Sequence, residues 1–297
     1  MNPNVFSSKI LLFGEYGVIK GSKGFAFPLR EFSGTLKMST SINLEESLRL
    51  DEFATFLKNS MTLSKELNTD NLIDDINSGL FFDSKIPIGK GIGSSGALCA
   101  AIFSKYSRTF ERKEFYSVNE LKYLQDMMAL MESFYHGTSS GVDSLISLIN
   151  LPVIIKSRNN LETTNMPNLE KFGHFYLIDS EITRKTSPLV HKFLSRYDSD
   201  MDFKKEIKRF IELNDSTIDS MINNDIDGFK DSFKSISKLQ YVNFSRMIPQ
   251  NIKKIWLDGL DSKNFYLKLC GAGGGGFFLI YSDSNNLNIN ENLIKLS

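Results

Sequence analysis

Cysteine is nearly absent from this 297-residue chain: Cys99 and Cys270 are the only two, far apart in apolar or glycine-rich surroundings. Two thiols cannot build a disulfide scaffold for a chain of this length, and they fit a reducing compartment. Net charge is missing too. Lys+Arg and Asp+Glu are 35 each, and no basic tail or stripe stands out, which argues against a nucleic-acid footprint. No apolar run approaches the ~20 residues of a membrane span. Met1 to Ser8 lacks a basic segment followed by an apolar one, so no secretory leader is expected. The three histidines, His136, His174 and His191, have no metal-ligand spacing, and no Cys/His cluster or Ser/His/Asp spacing occurs. GxxxxGK[ST] is absent. No internal repeat is visible. What remains is 41% hydrophobic and 12% aromatic, ample for buried cores. At about 150 residues per domain this suggests two domains, in a cytoplasmic protein.

What is present centres on Ile86 to Ala97, where Gly89, Gly91 and Gly93 alternate with other residues and Ser94 and Ser95 follow. An apolar run, Gly79 to Ser84, precedes the glycines, and small and apolar residues at helical spacing follow from Ala97 to Tyr106. Strand, glycine loop and helix start together form an anion cradle, because the helix start offers unpaired N–H groups and the positive end of a dipole. A flexible turn is the plainer reading, and the bracketing strand and helix argue against it. A second glycine loop, Gly271 to Gly276, joins two apolar strands. A tight hairpin needs fewer glycines, so this loop is expected to let the backbone approach something closely, with a phosphate as candidate.

Further strands are expected over Lys9–Phe13, Phe25–Leu29, Gly34–Ser41, Pro152–Ile155 and Phe175–Asp179. Helices are expected from Asp51, over Leu72–Leu80, over Val118–Tyr135 and over Ser140–Ile149, the last capped by Ser139 or Ser140. Three helical patterns run from Ser187 to Leu260. The polar stretch Lys156 to Asn168 is the expected boundary, giving domains 1–160 and 161–297. Glu132 and Asp143 flank the break His136 to Gly141, so both carboxylates can face one site. Each alone reads as a solvated helix acid or a dipole-favoured one. Together with two glycine loops they read as oxygen ligands for Mg²⁺ beside phosphate. Lys9 alone reads as a solvated strand-edge residue; beside a hydroxyl, its ammonium would favour that hydroxyl's ionised form. His136 reads as a loop-packing residue.

Three runs, in order, resemble the GHMP kinases, a family of small-molecule kinases. They are Lys9 to Gly21 (KILLFGEYGVIKG), Pro87 to Ala97 (PIGKGIGSSGA, against P-x-G-x-G-L-G-S-S-A-A) and Lys268 to Gly276 (KLCGAGGGG, against K-x-T-G-A-G-G-G-G). Within the family, His136 to Asp143 (HGTSSGVD) resembles the H-G-x-P-S-G-[IV]-D of its mevalonate-phosphorylating members, with Ser139 in place of the usual Pro. Ile182 to Val190 resembles their R-x-T-x-x-L-V segment. Tyr16 stands where those members carry His.

The resemblance implies a two-domain α+β fold, with a left-handed β-α-β unit in the N-terminal domain and a ferredoxin-like C-terminal domain. It implies ATP and Mg²⁺ as cofactors and phosphorylation of the primary hydroxyl of mevalonate. Phosphomevalonate or another small-molecule acceptor is the alternative. A catalytically silent regulatory protein of this fold is disfavoured, because Lys9, Ser95, Glu132 and Asp143 are all present. The implied roles are Asp143 and Lys9 in catalysis; Gly89, Lys90, Gly91, Gly93, Ser94 and Ser95 at the ATP phosphates; Ser95 and Glu132 on the metal; and Glu15, Tyr16, Arg184, Thr186, Gly273 and Gly274 on the substrate side. The expected partner is a small-molecule substrate, with no nucleic acid and no membrane, acting on a monomer or homodimer.

Overall fold

A computed structural model describes residues 4–39, 44–157, 159–183, 186–285, 287, 289 and 291–296. In chain order the strands are β1 (Phe6–Phe13), β2 (Gly24–Met38), β3 (Leu80–Ser84), β4 (Val153–Ser157), β5 (Asn160–Thr163), β6 (His174–Asp179), β7 (Tyr266–Leu269), β8 (Phe277–Ser282) and β9 (Leu293–Lys295). The helices are α1 (Leu44–Asn59), α2 (Leu63–Glu66), α3 (Thr69–Asn77), α4 (Ser94–Tyr106), α5 (Val118–His136), α6 (Val142–Ile149), α7 (Thr186–Ser199), α8 (Met201–Ile222), α9 (Ile226–Asn243) and α10 (Gln250–Ser262). No helix among the described residues is long and apolar enough to cross a membrane.

The first sheet is ordered β1-β2-β4-β5, with β3 on the far end of β2. Two strands were expected where β2 runs unbroken. The polar residues Arg30 and Glu31 sit in a bulge: Ser7 pairs with Ser33 while Ser8 pairs with Leu29, so the chain bends without leaving the ladder. β3 and β4 are both antiparallel to β2, hence parallel to each other, and α4, α5 and α6 connect them. The expected boundary stretch holds β5, which pairs with β4, so the first sheet continues to Thr163. Small residues make α4 the central helix. Ala97, Ala100 and Ala101 are fully buried and let α6 and β1 pack close. The Ser147 hydroxyl on α6 donates to the Ser7 carbonyl at 2.7 Å, tying that helix to β1.

The second sheet is ordered β7-β8-β6-β9 and is antiparallel throughout. In that half's own strand order this is 2-3-1-4, the neighbour order of a ferredoxin-like sheet. Four helices fill Thr186 to Ser262 where three were expected. The unrecognised break is Asn223–Asp225, where the Asp225 side chain caps α9 by accepting from Gly228 N–H. Phe13, at the end of β1, packs edge-on against Phe229 and Phe233 of α9, each 6.0 Å away, so one continuous core spans both sheets.

Candidate active site

The glycine loop reaches its place because it pairs with β1. Lys9 N–H donates to the Ile92 carbonyl at 2.9 Å, which sets the start of α4 directly over Lys9. Gly93 then caps α4 in the left-handed region (φ 84°) with no side-chain cap, leaving the first N–H groups of the helix for an anion. A Cβ on Gly93 would lie 3.3 Å from Lys9 Cγ and 3.6 Å from Asp143 Cβ. The positive φ favours glycine there, and a side chain would crowd the point where loop, lysine and aspartate converge. Gly89 and Gly91 likewise have φ of 76°.

Lys9 Nζ meets Asp143 Oδ2 at 2.9 Å. The lysine side chain is 9% exposed and the aspartate 40%, so the pair is buried on one side and open on the other. Asp143 stands in the first turn of α6. The cap of that helix is Gly141 (φ 70°), not Ser139 or Ser140 as expected. Ser139 is otherwise engaged: its hydroxyl donates to Glu132 Oε2 at 2.6 Å and accepts from Gly141 N–H at 3.1 Å.

Glu132, on the last turn of α5, is buried. Burial, and next the negative charge of Asp143, push its carboxyl up to about 7, against the hydroxyls of Ser139 and Ser144 and the Lys9 ammonium. Its Oε1 faces α4: a Cβ on Gly96 would sit 3.2 Å from it and 3.0 Å from Ser144 N. The Ser95 hydroxyl, one residue away, is 2.9 Å from His136 Nε2. The expected loop-packing histidine therefore touches a site residue. Among the described residues no three His, Cys, Asp or Glu side chains converge. A hydroxyl and one free carboxylate oxygen still suit Mg²⁺, which keeps several waters and binds through one or two carboxylates plus substrate phosphates.

Lys90 reaches away from the cradle to Asp179, at the end of β6, at 2.8 Å. Thr183 packs on Gly89, and a Cβ on Gly276 would strike the Lys90 carbonyl, so the two glycine loops touch. The close approach expected of the second loop is made by the chain itself. A Cβ on Gly273 would lie 2.5 Å from the Met247 carbonyl, one on Gly275 2.5 Å from the Ile182 carbonyl, and one on Gly274 2.6 Å from a Leu189 methyl. Glu15 and Tyr16, expected on the substrate side, are buried instead. Lys268 Nζ, fully buried, pairs with Glu15 Oε1 and also donates to the carbonyls of Leu12 (2.6 Å) and Leu269 (2.7 Å). Burial pushes the Glu15 carboxyl up, and the Lys268 ammonium opposes it. The Tyr16 hydroxyl donates to the Ala272 carbonyl, and its ring packs against Phe193 and Phe244, 4.7 and 5.1 Å away, which also touch each other. Thr186 is the first residue of α7, and Arg184 lies outside the described residues. A groove of about 1040 Å³ on α7 and Ser245–Met247 shares Leu189 and Met247 with the second glycine loop. The convergent charged groups are elsewhere, at Lys9, Glu132 and Asp143.

Comparison with known proteins adds a family. Residues 57–150, which include the glycine loop, Glu132 and Asp143, match the family model "GHMP kinases N terminal domain". Residues 57–150 thus carry a GHMP kinase N-terminal domain. A mevalonate kinase of Dictyostelium discoideum is 22% identical over 339 aligned positions, covering 90% of this chain and 84% of that relative. Among solved structures, L. major mevalonate kinase in complex with R-mevalonate superposes with a TM-score of 0.63 at 16% identity, over 95% of this chain and 87% of the other. Streptococcus pneumoniae phosphomevalonate kinase, in complex with phosphomevalonate and AMPPNP, superposes at 0.60 and 13% identity, over 94% and 92%. The GHMP kinase fold thus extends over nearly the whole chain. Of the residues that matter here, sequence reasoning missed Asp179 and the pairing of Lys268. Lys268 opens the third family run, which was the available signal; Asp179 lies in none.

Proposed function

We propose that this GHMP kinase transfers the γ-phosphoryl group of ATP to the primary hydroxyl of mevalonate. The observation that carries the reading is the Lys9–Asp143 pair at 2.9 Å, set against the uncapped start of α4. Phosphoryl transfer needs mostly positioning and electrostatic stabilisation, and these groups offer both. Residues Gly89 to Ser95 would receive the triphosphate on backbone N–H groups. Asp143 would accept the acceptor hydroxyl's proton at its carboxylate, with Lys9 favouring the ionised acceptor and balancing charge on the group in transfer. Ser95 and Glu132 would hold Mg²⁺, which when bound neutralises the β- and γ-phosphate oxygens.

The similarity to mevalonate kinases supports mevalonate as acceptor. Tyr16, which stands where mevalonate-phosphorylating members carry His, spends its hydroxyl on Ala272 and its ring on Phe193 and Phe244, and so favours neither acceptor. The second glycine loop, with Gly273 and Gly274, and the start of α7 at Thr186 would close the acceptor side. An ADP-release assay with mevalonate, phosphomevalonate, homoserine and galactose in parallel tests the acceptor. Turnover fastest with mevalonate is expected; turnover of phosphomevalonate alone would overturn it. Asp143→Asn should fold as wild type by circular dichroism and lose about 10²- to 10⁴-fold in kcat, the range for a lost general base. Wild-type kcat in that variant would remove Asp143 from the mechanism.

A further inference from the structure

The turn between α5 and α6 grips both oxygen groups assigned to the cation, one at each end. At its start, His136 Nε2 is 2.9 Å from Ser95 Oγ. Three residues on, the Ser139 hydroxyl donates to Glu132 Oε2 at 2.6 Å. We propose that His136 and Ser139 are positioning residues that pre-set Ser95 and Glu132 for the divalent cation arriving with the nucleotide. The inference rests on the reading of Ser95 and Glu132 as that cation's ligands.

Each contact fixes one hydroxyl, and at His136 the ring tautomer sets which group donates. A serine hydroxyl at a half-exposed helix start has three staggered positions open to it. A hydrogen bond to the ring selects one. With Nε2 as acceptor and the ring proton on Nδ1, the Ser95 O–H points at the imidazole and both oxygen lone pairs face away from it, free for a cation. Ser139 is constrained in the same way. Its oxygen accepts from Gly141 N–H at 3.1 Å while its hydrogen goes to Glu132 Oε2. That occupies one carboxylate oxygen and leaves Oε1, which faces the first turn of α4, as the ligand. Because His136 and Ser139 belong to one short turn, Ser95 and Glu132 are held to a common frame, although they lie 37 positions apart on different helices. Partners of this kind around metal ligands orient them and raise affinity. In the related H-G-x-P-S-G motif the position of Ser139 is proline, which has no hydroxyl to donate, so the anchor on Glu132 belongs to this chain.

Titration calorimetry with AMPPNP, with and without Mg²⁺, tests the proposal on wild type, His136→Ala, His136→Gln and Ser139→Ala. His136 is exposed and Ser139 half-buried, and circular dichroism checks that the variants fold. Affinity without Mg²⁺ should stay within twofold of wild type in every variant. The gain in affinity on adding Mg²⁺ should fall about tenfold in each alanine variant, the low end for lost partners of metal ligands. His136→Gln, whose amide oxygen can accept at a similar reach, should recover most of it. Alanine variants with the full Mg²⁺-dependent gain, beside a wild type that has one, would overturn the positioning role alone. Equal losses with and without Mg²⁺ would also overturn it, as general distortion. A wild type with no Mg²⁺-dependent gain would overturn it together with the assignment of Ser95 and Glu132 as ligands.

Discussion

Glu132 is a buried acid with a second carboxylate nearby, and in the absence of a cation the fold favours its neutral form. Its carboxyl, raised from 4.5 to about 7, gives a stability term of definite sign. A raised carboxyl adds stability that is complete below its ordinary value and is lost as pH rises through the folded value. At ~1.4 kcal/mol per unit, the loss between pH 4.5 and 7 is at most ~3 kcal/mol. Glu132→Gln has no charge to bury. In EDTA its melting temperature should match wild type near pH 4.5 and exceed it by about 5 °C at pH 8. A melting difference that stays constant across that range would contradict the burial argument. At this scale the sequence already marked Lys9, Ser95, Glu132 and Asp143, because each stands in a recurring run or beside a helix break. It could not pair them with the residues that hold them. His136 and Ser95 are 41 positions apart and Lys90 and Asp179 are 89, and such contacts exist only once the sheets are stacked.

The α5–α6 turn places Asp143, and its two glycines share a positive φ but differ in ψ, −49° against −2°, and in environment. Gly137 has φ 71° and Gly141 φ 70°. A Cβ on Gly137 would meet nothing within 4 Å, whereas one on Gly141 would strike the Gln125 carbonyl and lie 2.7 Å from Ala129 N. Gly137→Ala therefore meets no neighbour and costs only the strain of a sparsely populated backbone conformation, about 2 kcal/mol. Gly141→Ala must also push α6 off α5, for a total of roughly 3 kcal/mol or more, and should move Asp143 out of register with Lys9. Urea unfolding and kcat measured on both variants check this. Equal losses in stability would mean that α6 does not seat on α5 through Gly141. Strand and helix types were largely legible from apolar periodicity and glycine punctuation. Two boundaries were not. The Arg30–Glu31 bulge looked like the end of a strand because it is polar, and the α8–α9 break looked continuous because its signal is only an aspartate cap three residues before Gly228.

Across the whole molecule, residues assigned from sequence to a ligand, Glu15, Tyr16 and the second glycine loop, lie where the two sheets meet. Five glycines in Gly271–Gly276 suggested a phosphate cradle, yet the backbones they accommodate are those of Ile182, Met247 and Lys90. Glu15 lies just after β1 and Lys268 lies on β7, and neither is exposed to solvent. A buried pair of this kind need not add stability over well-packed apolar residues, but losing one partner strands the other. Lys268→Met would leave Glu15 inside without its ammonium and the Leu12 and Leu269 carbonyls without their donor. The expected cost is ~3–5 kcal/mol, read from denaturant unfolding. Adding Glu15→Leu removes the stranded acid and should recover part of that loss, though not the part due to the two carbonyls. The double-mutant cycle should thus close with a coupling of about 1–3 kcal/mol. Strict additivity would mean that Glu15 and Lys268 do not act as one unit, and the joint between the sheets would then rest on Phe13 and Tyr16, whose rings cross it to Phe229, Phe233, Phe193 and Phe244.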